Sequence, residues 1–494
     1  RRQRQMCIRD RDILSIFKEI TTIPRESGNE KHIIAYLQDF AKKHNLQCKT
    51  DKAGNVLIIK EADKGKESVP TIILQSHSDM VCEKNAGVEH DFTKDPIKYV
   101  EEDGWLIAKD TTLGADCGIG MAAQLALLID KSIKTGKLEA LFTVSEETGM
   151  DGAFALEKGF FEGKYLINLD SEDEGELFIG CAGGIDTTAK FHYEQEPVMK
   201  EYSRYIFKIC GAQGGHSGDD IDKGRANAIK ILARFIYRAL DKHSDIQLYR
   251  IDGGNKRNAI AREAWVELGI DGSHEKSLKN IFKEVIKESA NEYHITDPNV
   301  TGTCTPLPNR STAEHPYPKF AIDGNTAAAL IYGLYGAPHG VLGMSAELKG
   351  LVETSTNLAS VKMEKGNIIR IGTSQRSAIN SCRKVAAEQV EAVFALAGAV
   401  VTHEGEYPGW QPNLDSQILK ITKAAYEKLF DTEPVVRAIH AGLECGLFLK
   451  KFPELDMISF GPTLRGVHAP GEKLELASVD KFRKLLIEVV ENIQ

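Results

Sequence analysis

Five polar clusters in the chain carry side chains that could do chemistry. His77-Ser78-Asp79 follows the apolar run IILQS, Asp116 sits in LGADCGIG, and the pair Glu146-Glu147 follows LFTVS. Asp170 sits in LINLDSED, and His468 sits in GVHAPGE after MISFGP. Singly, each has an ordinary explanation. An Asp after a strand caps a helix or makes a turn, a Glu pair is solvated, and a lone His is a satisfied loop or core residue. Their joint occurrence changes the reading. Two imidazoles with several carboxylates suit zinc or a similar divalent ion. The acids exceed what one ion needs, which points to two ions ~3.5–4 Å apart sharing a carboxylate. At a strand end, adjacent side chains point in different directions. One of Glu146 and Glu147 can therefore ligate while the other faces water and substrate.

Alternating strands and helices must position these groups. DILSIFKEITTIP and EKHIIAYLQDFAKKHN have the apolar spacing of amphipathic helices, the first ended before Pro24. NVLIIK, TIILQSHSDM, LEALFTVSEETG, KYLINLDSED and LDMISFGPTLRGVHAP contain apolar strands, the last four running into the polar clusters. LGADCGIGMAAQLALLID is a glycine-containing turn followed by a helix. This alternation predicts βαβ units and an α/β fold with a mostly parallel sheet. Sites in such sheets form at the carboxyl ends of strands. All five clusters are therefore expected at strand ends on one edge of one sheet. From about Thr187 to Val401 the texture changes. YSRYIFKICGAQGGHSG, EAWVELGI and LVETSTNLASVKMEKGNIIRIGTSQRS look like strands, and RANAIKILARFIYRAL and RKVAAEQVEAVFALAGA like helices. The expected organisation is a catalytic domain built from 12–186 and 402–494, with an inserted α+β domain at 187–401.

Length and composition agree with that plan. The 494 residues exceed one typical domain, and 42% apolar with 27% charged residues is ordinary for a globular chain with a large core. The formal net charge of -9 argues against nucleic acid as a partner. Nine cysteines, an odd count without a CxxC pair, predict free thiols in a reducing compartment, hence the cytoplasm. No run nears ~18 apolar residues, so no membrane partner is expected, and no signal peptide is visible. The opening RRQRQMCIRDR is basic and lacks apolar periodicity. Residues 1–11 are read as a vector or adapter remnant, with a true basic extension as the alternative.

HSDMVCEKN, TTLGADCGIG, SEETGMDGA, NLDSED, GGHSGDDI and GVHAPGE together resemble the M20 metallopeptidase family, in particular its bacterial cytosolic dipeptidase branch. The resemblance spans nearly all of the chain after residue 11. It implies that His77 and Asp170 bind one metal, that Glu147 and His468 bind the other, and that Asp116 bridges the two. Asp79 would orient His77 by accepting its other ring proton. Glu146 would be the general base, taking a proton from the attacking water and passing it to the leaving amine. A cis peptide is expected at Asp116-Cys117. The inserted domain would act as a lid, with His216 stabilising the oxyanion. Asn258 and Arg376 would hold the substrate's terminal carboxylate or nearby backbone. His440 and Glu444, in HAGLECGLF, resemble a motif near the substrate's amino end. Glu444 is either an ammonium ligand or a buried structural acid.

Two departures from the family pattern, Cys117 for Asn and Ser78 for Leu, fall at positions that the resemblance does not make ligands. The resemblance implies hydrolysis of small peptides, dipeptides including Xaa-His, with two divalent ions per chain: zinc, or manganese or cobalt. It also admits a homodimer through the lid. Action on N-acyl amino acids, action on longer peptides, and a catalytically silent binding protein on the same fold are the alternatives. The HAGLECG stretch favours substrates with a free amino end.

Overall fold

The computed structural model describes residues 12–312 and 316–493. The basic stretch 1–11 lies outside the described residues. The chain divides into two compact units. The first runs to Gly180 and takes up again at Trp410–Ala438 and Leu443–Gln494. The second comprises Cys181–Gly409 and Ile439–Gly442. Among the described residues, no helix is long and apolar enough to cross a membrane.

The first unit is built on an eight-stranded sheet. Its strands are β1 (Gln47–Thr50), β2 (Val56–Lys60), β3 (Ile72–His77), β4 (Leu138–Thr143), β5 (Tyr165–Asn168), β6 (Glu176–Cys181), β7 (Val435–Ile439) and β8 (Asp456–Ser459). They lie in the order β1-β2-β4-β3-β5-β8-β6-β7. The four central strands β4, β3, β5 and β8 run parallel. The flanking pairings β1-β2, β2-β4 and β8-β6 are antiparallel. Every residue of β3, β4 and β5 is buried. That is why these strands read as continuous apolar runs rather than alternating ones: a parallel sheet is covered on both faces.

Helices supply the cover. Ile13–Ile20 buries Ile13, Ile16, Phe17 and Ile20, one stripe at helical spacing. It packs against α1 (Ala115–Ile129), which also packs on β3 and β4. Helix α1 is apolar nearly all round and almost wholly buried, as a helix sandwiched between a sheet and another helix must be. A small four-stranded sheet orders Leu464–Arg465, Lys473–Glu475, Trp105–Ala108 and Tyr99–Glu102.

The second unit has an antiparallel nine-stranded sheet. Its path runs from Thr301–Leu307 through Ser203–Cys210, Ala264–Ile270, Gln247–Gly254, Val352–Glu364, Ile368–Ser377 and Gly183–His192 to Val400–Tyr407, with Gly340–Met344 paired to Val352–Glu364. Helices Ala228–Lys242, Glu275–Glu292, Gly324–Gly336 and Asn380–Leu396 contribute to its core, where Phe207, Phe235 and Phe282 meet ring to ring.

Candidate metal centre

Three of the five clusters stand where the sheet rule puts them. His77 is the last residue of β3, Glu146 and Glu147 begin a short helical turn after β4, and Asp170 follows β5. Two do not sit at strand ends of that sheet. Asp116 lies in the first turn of α1, next to the cis peptide Asp116-Cys117. His468 lies in the loop between Leu464–Arg465 and Lys473–Glu475 of the small sheet. The expectation of one edge of one sheet is thus corrected for these two. The chain leaves the large sheet after β8 at Gly461-Pro462, where Gly461 presses on the Ser171 backbone and Pro462 has no ladder donor to offer.

The candidate donor atoms nonetheless converge. His77 Nε2 lies 3.0 Å from Asp116 Oδ1 and 3.2 Å from Asp170 Oδ1. His468 Nε2 lies 3.1 Å from Asp116 Oδ2 and 2.9 Å from Glu147 Oε2. Each oxygen of Asp116 therefore faces a different imidazole, and each imidazole faces a second carboxylate. His77, Asp116, Cys117 and Asp170 form one group whose donor atoms lie within 4.8 Å of one another; Asp116, Glu147 and His468 form another.

The electrostatics of this cluster call for cations. Burial alone would lower His77, but Asp170, Asp116 and Asp79 outweigh it and hold the imidazole well above its usual value. Hydrogen bonds to Asp116 and Glu147 push His468 up to about 11. Burial and the Asp116 charge raise Asp170. Protons are thus retained between acids that would otherwise repel. Two imidazoles with three carboxylates, one shared, are a donor set that fits a pair of divalent ions, which would take the place of those protons.

A ring of outer contacts fixes the set. Asp79 is fully buried. Its carboxylate accepts from the backbone N–H of Glu146 at 3.0 Å and of Glu147 at 3.2 Å, and from Ser27 Oγ at 2.7 Å. It lies 3.4 Å from His77 Nδ1. Burial would raise Asp79, yet His77 and these donors hold it at about 2. Burial pushes Glu146 well above the usual carboxylate range, against the pull of His77.

Two positioning residues carried no sequence signal. The Arg25 guanidinium, 1% exposed, donates to the backbone oxygens of Asp79 at 2.7 Å and Ser78 at 3.3 Å, and to Gly114 O. Gly114 takes φ of 68°, and a Cβ there would run into Arg25 and Met80. Glu472 is buried, and its carboxylate accepts from four successive backbone N–H groups, those of Leu113, Gly114, Ala115 and Asp116, at 2.7–3.4 Å. It ties the His468 loop to the entry of α1. Glu472 lies within the quoted GVHAPGE stretch, but a row of backbone donors leaves no mark in a sequence.

Glu444 starts the helix Glu444–Lys451 and is 1% exposed. Its Oε2 accepts from Gln75 Nε2 at 2.6 Å and from Thr143 Oγ1 at 2.8 Å, and burial pushes it up to about 8.

The remaining candidates belong to the second unit. His216 is half-buried and bridges to Ala259, with Nδ1 accepting from the N–H of Gly218 at 3.2 Å. Asn258 is exposed, and its backbone oxygen accepts from Ser217 N at 2.8 Å. Arg376, 8% exposed, donates from Nη1 to Tyr407 OH at 3.2 Å, and its Nε has no partner among the described residues. No carboxylate among the described residues is within ion-pair distance of Arg376. His440 Nε2 pairs with Ser355 Oγ at 2.7 Å, and burial, helped by Arg376, holds the ring down to about 4.

The chain matches known proteins along most of its length. A family model described as "Peptidase family M20/M25/M40" covers residues 73–492. The chain is 39% identical over 481 residues to the cytosol non-specific dipeptidase of Escherichia coli (strain K12), covering 97% of this chain and 96% of that protein. It is similar to the crystal structure of the aminoacylhistidine dipeptidase from Vibrio alginolyticus, with 37% identity, a TM-score of 0.89, and 98% and 96% of the two chains covered. The aminopeptidase PepT from Bacillus cereus, at 17% identity and a TM-score of 0.56 over 97% of this chain and 98% of that one, shares the fold. Sequence and fold together identify the chain as a member of peptidase family M20/M25/M40.

Proposed function

We propose that the chain hydrolyses dipeptides at a pair of divalent cations, with Glu146 as general base. The observation that supports this reading is the division of Asp116, one oxygen toward His77 and Asp170 and the other toward His468 and Glu147. In this reading His77 and Asp170 hold one ion, Glu147 and His468 the other, and Asp116 both. The ions supply Lewis acidity, lowering the pKa of the attacking water and polarising the scissile carbonyl. Asp79, pinned by Ser27 and two backbone donors, keeps the His77 ring fixed. Glu146 follows Ser145, whose φ is 53°, and its raised proton affinity suits a group that accepts a proton and returns it to the leaving amine.

The segment 12–186 with 402–494 is the catalytic domain in this reading, and 187–401 is a lid and dimerisation domain. Arg376, buried without an acid partner, takes the substrate carboxylate with help from Asn258, and His216 serves the oxyanion. His440, kept neutral, lines that substrate region. Glu444 can serve either role in this reading, since Gln75 and Thr143 hold its Oε2 while its buried Oε1 has no partner among the described residues. Zinc suits the ligands, and manganese or cobalt can stand in for it. The cytoplasm is the proposed compartment.

Metal analysis and a dipeptide panel test this together. The expected outcome is about two ions per chain in this centre. Ala-His should be cleaved, and N-acetyl-His should be a poor substrate. Glu146→Ala should keep the metals and lose turnover by roughly 10²–10⁴-fold. An active Glu146→Ala enzyme would remove the base assignment, and preference for N-acetyl-His would move the chain to acyl amino acids.

A further inference from the structure

A second cluster of metal-binding side chains lies in the second unit and shares no residue with the centre above. Helix Ala228–Lys242 ends at His243, whose backbone is extended at φ -137° and ψ 97°, and the chain passes Asp245 into strand Gln247–Gly254. Asp271 caps the short turn Gly272–His274, which leads straight into helix Glu275–Glu292. The end of one helix and the start of another thus bring His243, Asp245 and His274 together, with donor atoms within 4.8 Å of one another.

The details fit a ligand set better than a chance ion pair. The two imidazole rings lie 4.6 Å apart at 30°. The rings meet at a tilt, and a single carboxylate faces the pair. Asp245 sets both oxygens toward His274 Nδ1, at 3.3 and 3.2 Å. His243 is 7% exposed, and its Nε2 is held by Ser277 Oγ at 2.8 Å. A hydroxyl on one ring nitrogen fixes the ring and leaves the other nitrogen as the ligand, as outer contacts do for metal-bound histidines. Burial, then the neighbouring His274, lowers His243.

We propose that His243, Asp245 and His274 form a further divalent-cation site that clamps the two helix ends of the second unit. Two imidazoles and one carboxylate select zinc, nickel or cobalt over magnesium or calcium, which prefer oxygen. Three protein ligands leave room for water, and nothing in the cluster provides a base, so the role is structural.

The test uses the full chain and zinc. Metal-stripped protein is equilibrated with excess zinc, freed of unbound ion and counted by mass spectrometry. This is done for wild type, His274→Ala and His243→Gln, with circular dichroism recorded for each. The readout is a difference between proteins, so it is independent of how many ions the peptidase centre holds. Each variant should hold one ion fewer per chain than wild type. Each should also lose part of the zinc-dependent rise in melting temperature while keeping dipeptide turnover. Equal counts and equal shifts in wild type and in the half-exposed His274→Ala variant would overturn the site. Loss of one ion by His274→Ala with unchanged thermal response would overturn the clamp.

Discussion

At the scale of single residues, the chemistry depends on groups that hold other groups. Glu472 is the strongest case. It satisfies four backbone donors that would otherwise be orphaned at a buried helix entry. Glu472→Ala should cost on the order of 3 kcal/mol, since buried donors to a charged acceptor are left unmet. It should also weaken metal binding by roughly 10–100-fold, the usual penalty for losing an outer contact to a ligand. A melting curve and a competition titration with a zinc chelator read the two effects. Unchanged metal affinity would mean that Asp116 holds its place without this carboxylate. The candidate residues at the ends of β3, β4 and β5 were legible in the sequence because acids and a histidine follow apolar runs, as at IILQSH and LINLD. Arg25 and Glu472 were not, because their partners are backbone atoms brought close only by the fold.

At the scale of elements, the continuous burial of β3, β4 and β5 made the parallel core readable, and the helical spacing of Ile13, Ile16, Phe17 and Ile20 made the cover readable. The loop bearing His468 was not readable, because its flanking strands are two and three residues long and carry no period. The seating of α1 rests on close approach. Gly120 comes so near β5's exit that an added Cβ would lie 2.7 Å from Leu169 O and 2.7 Å from Cys117 Sγ. Gly120→Ala should therefore push α1 away from Asp170 and destabilise the protein by about 1–3 kcal/mol, an overpacking cost. Metal content should fall with it. A variant with wild-type melting and full metal content would show that the helix can slide without disturbing the centre.

At the scale of the whole molecule, stability should depend on pH and on metal. His339 accepts from Leu358 N–H at 3.2 Å through Nδ1, and burial, with Lys230 adding, holds it down to about 4. His440 is held down to about 4 as well. Both values lie below the ~6.5 of an unfolded histidine. At these two sites the unfolded chain thus binds more protons between those limits, and their contribution to stability is full above pH ~6.5 and falls as the pH drops toward 4. Denaturant midpoints across that range should decline, and His339→Gln should flatten the slope. An unaltered slope would assign the decline to other groups. Chelation should lower the melting temperature too. For each site filled at 100 times its dissociation constant, the loss is about 2.7 kcal/mol. His440 stood out in HAGLECGLF and His339 did not, but nothing in the chain next to either marks it as held down by burial.

The shared carboxylate joins positions far apart in synthesis. Asp116 and His468 are 352 residues apart along the chain. During translation, His77, Asp116, Glu147 and Asp170 are all made long before His468 and before the Glu472 that holds the backbone at Asp116. A chain stopped before His468 would lack both one imidazole facing Asp116 and the carboxylate that gathers the backbone donors at the entry of α1.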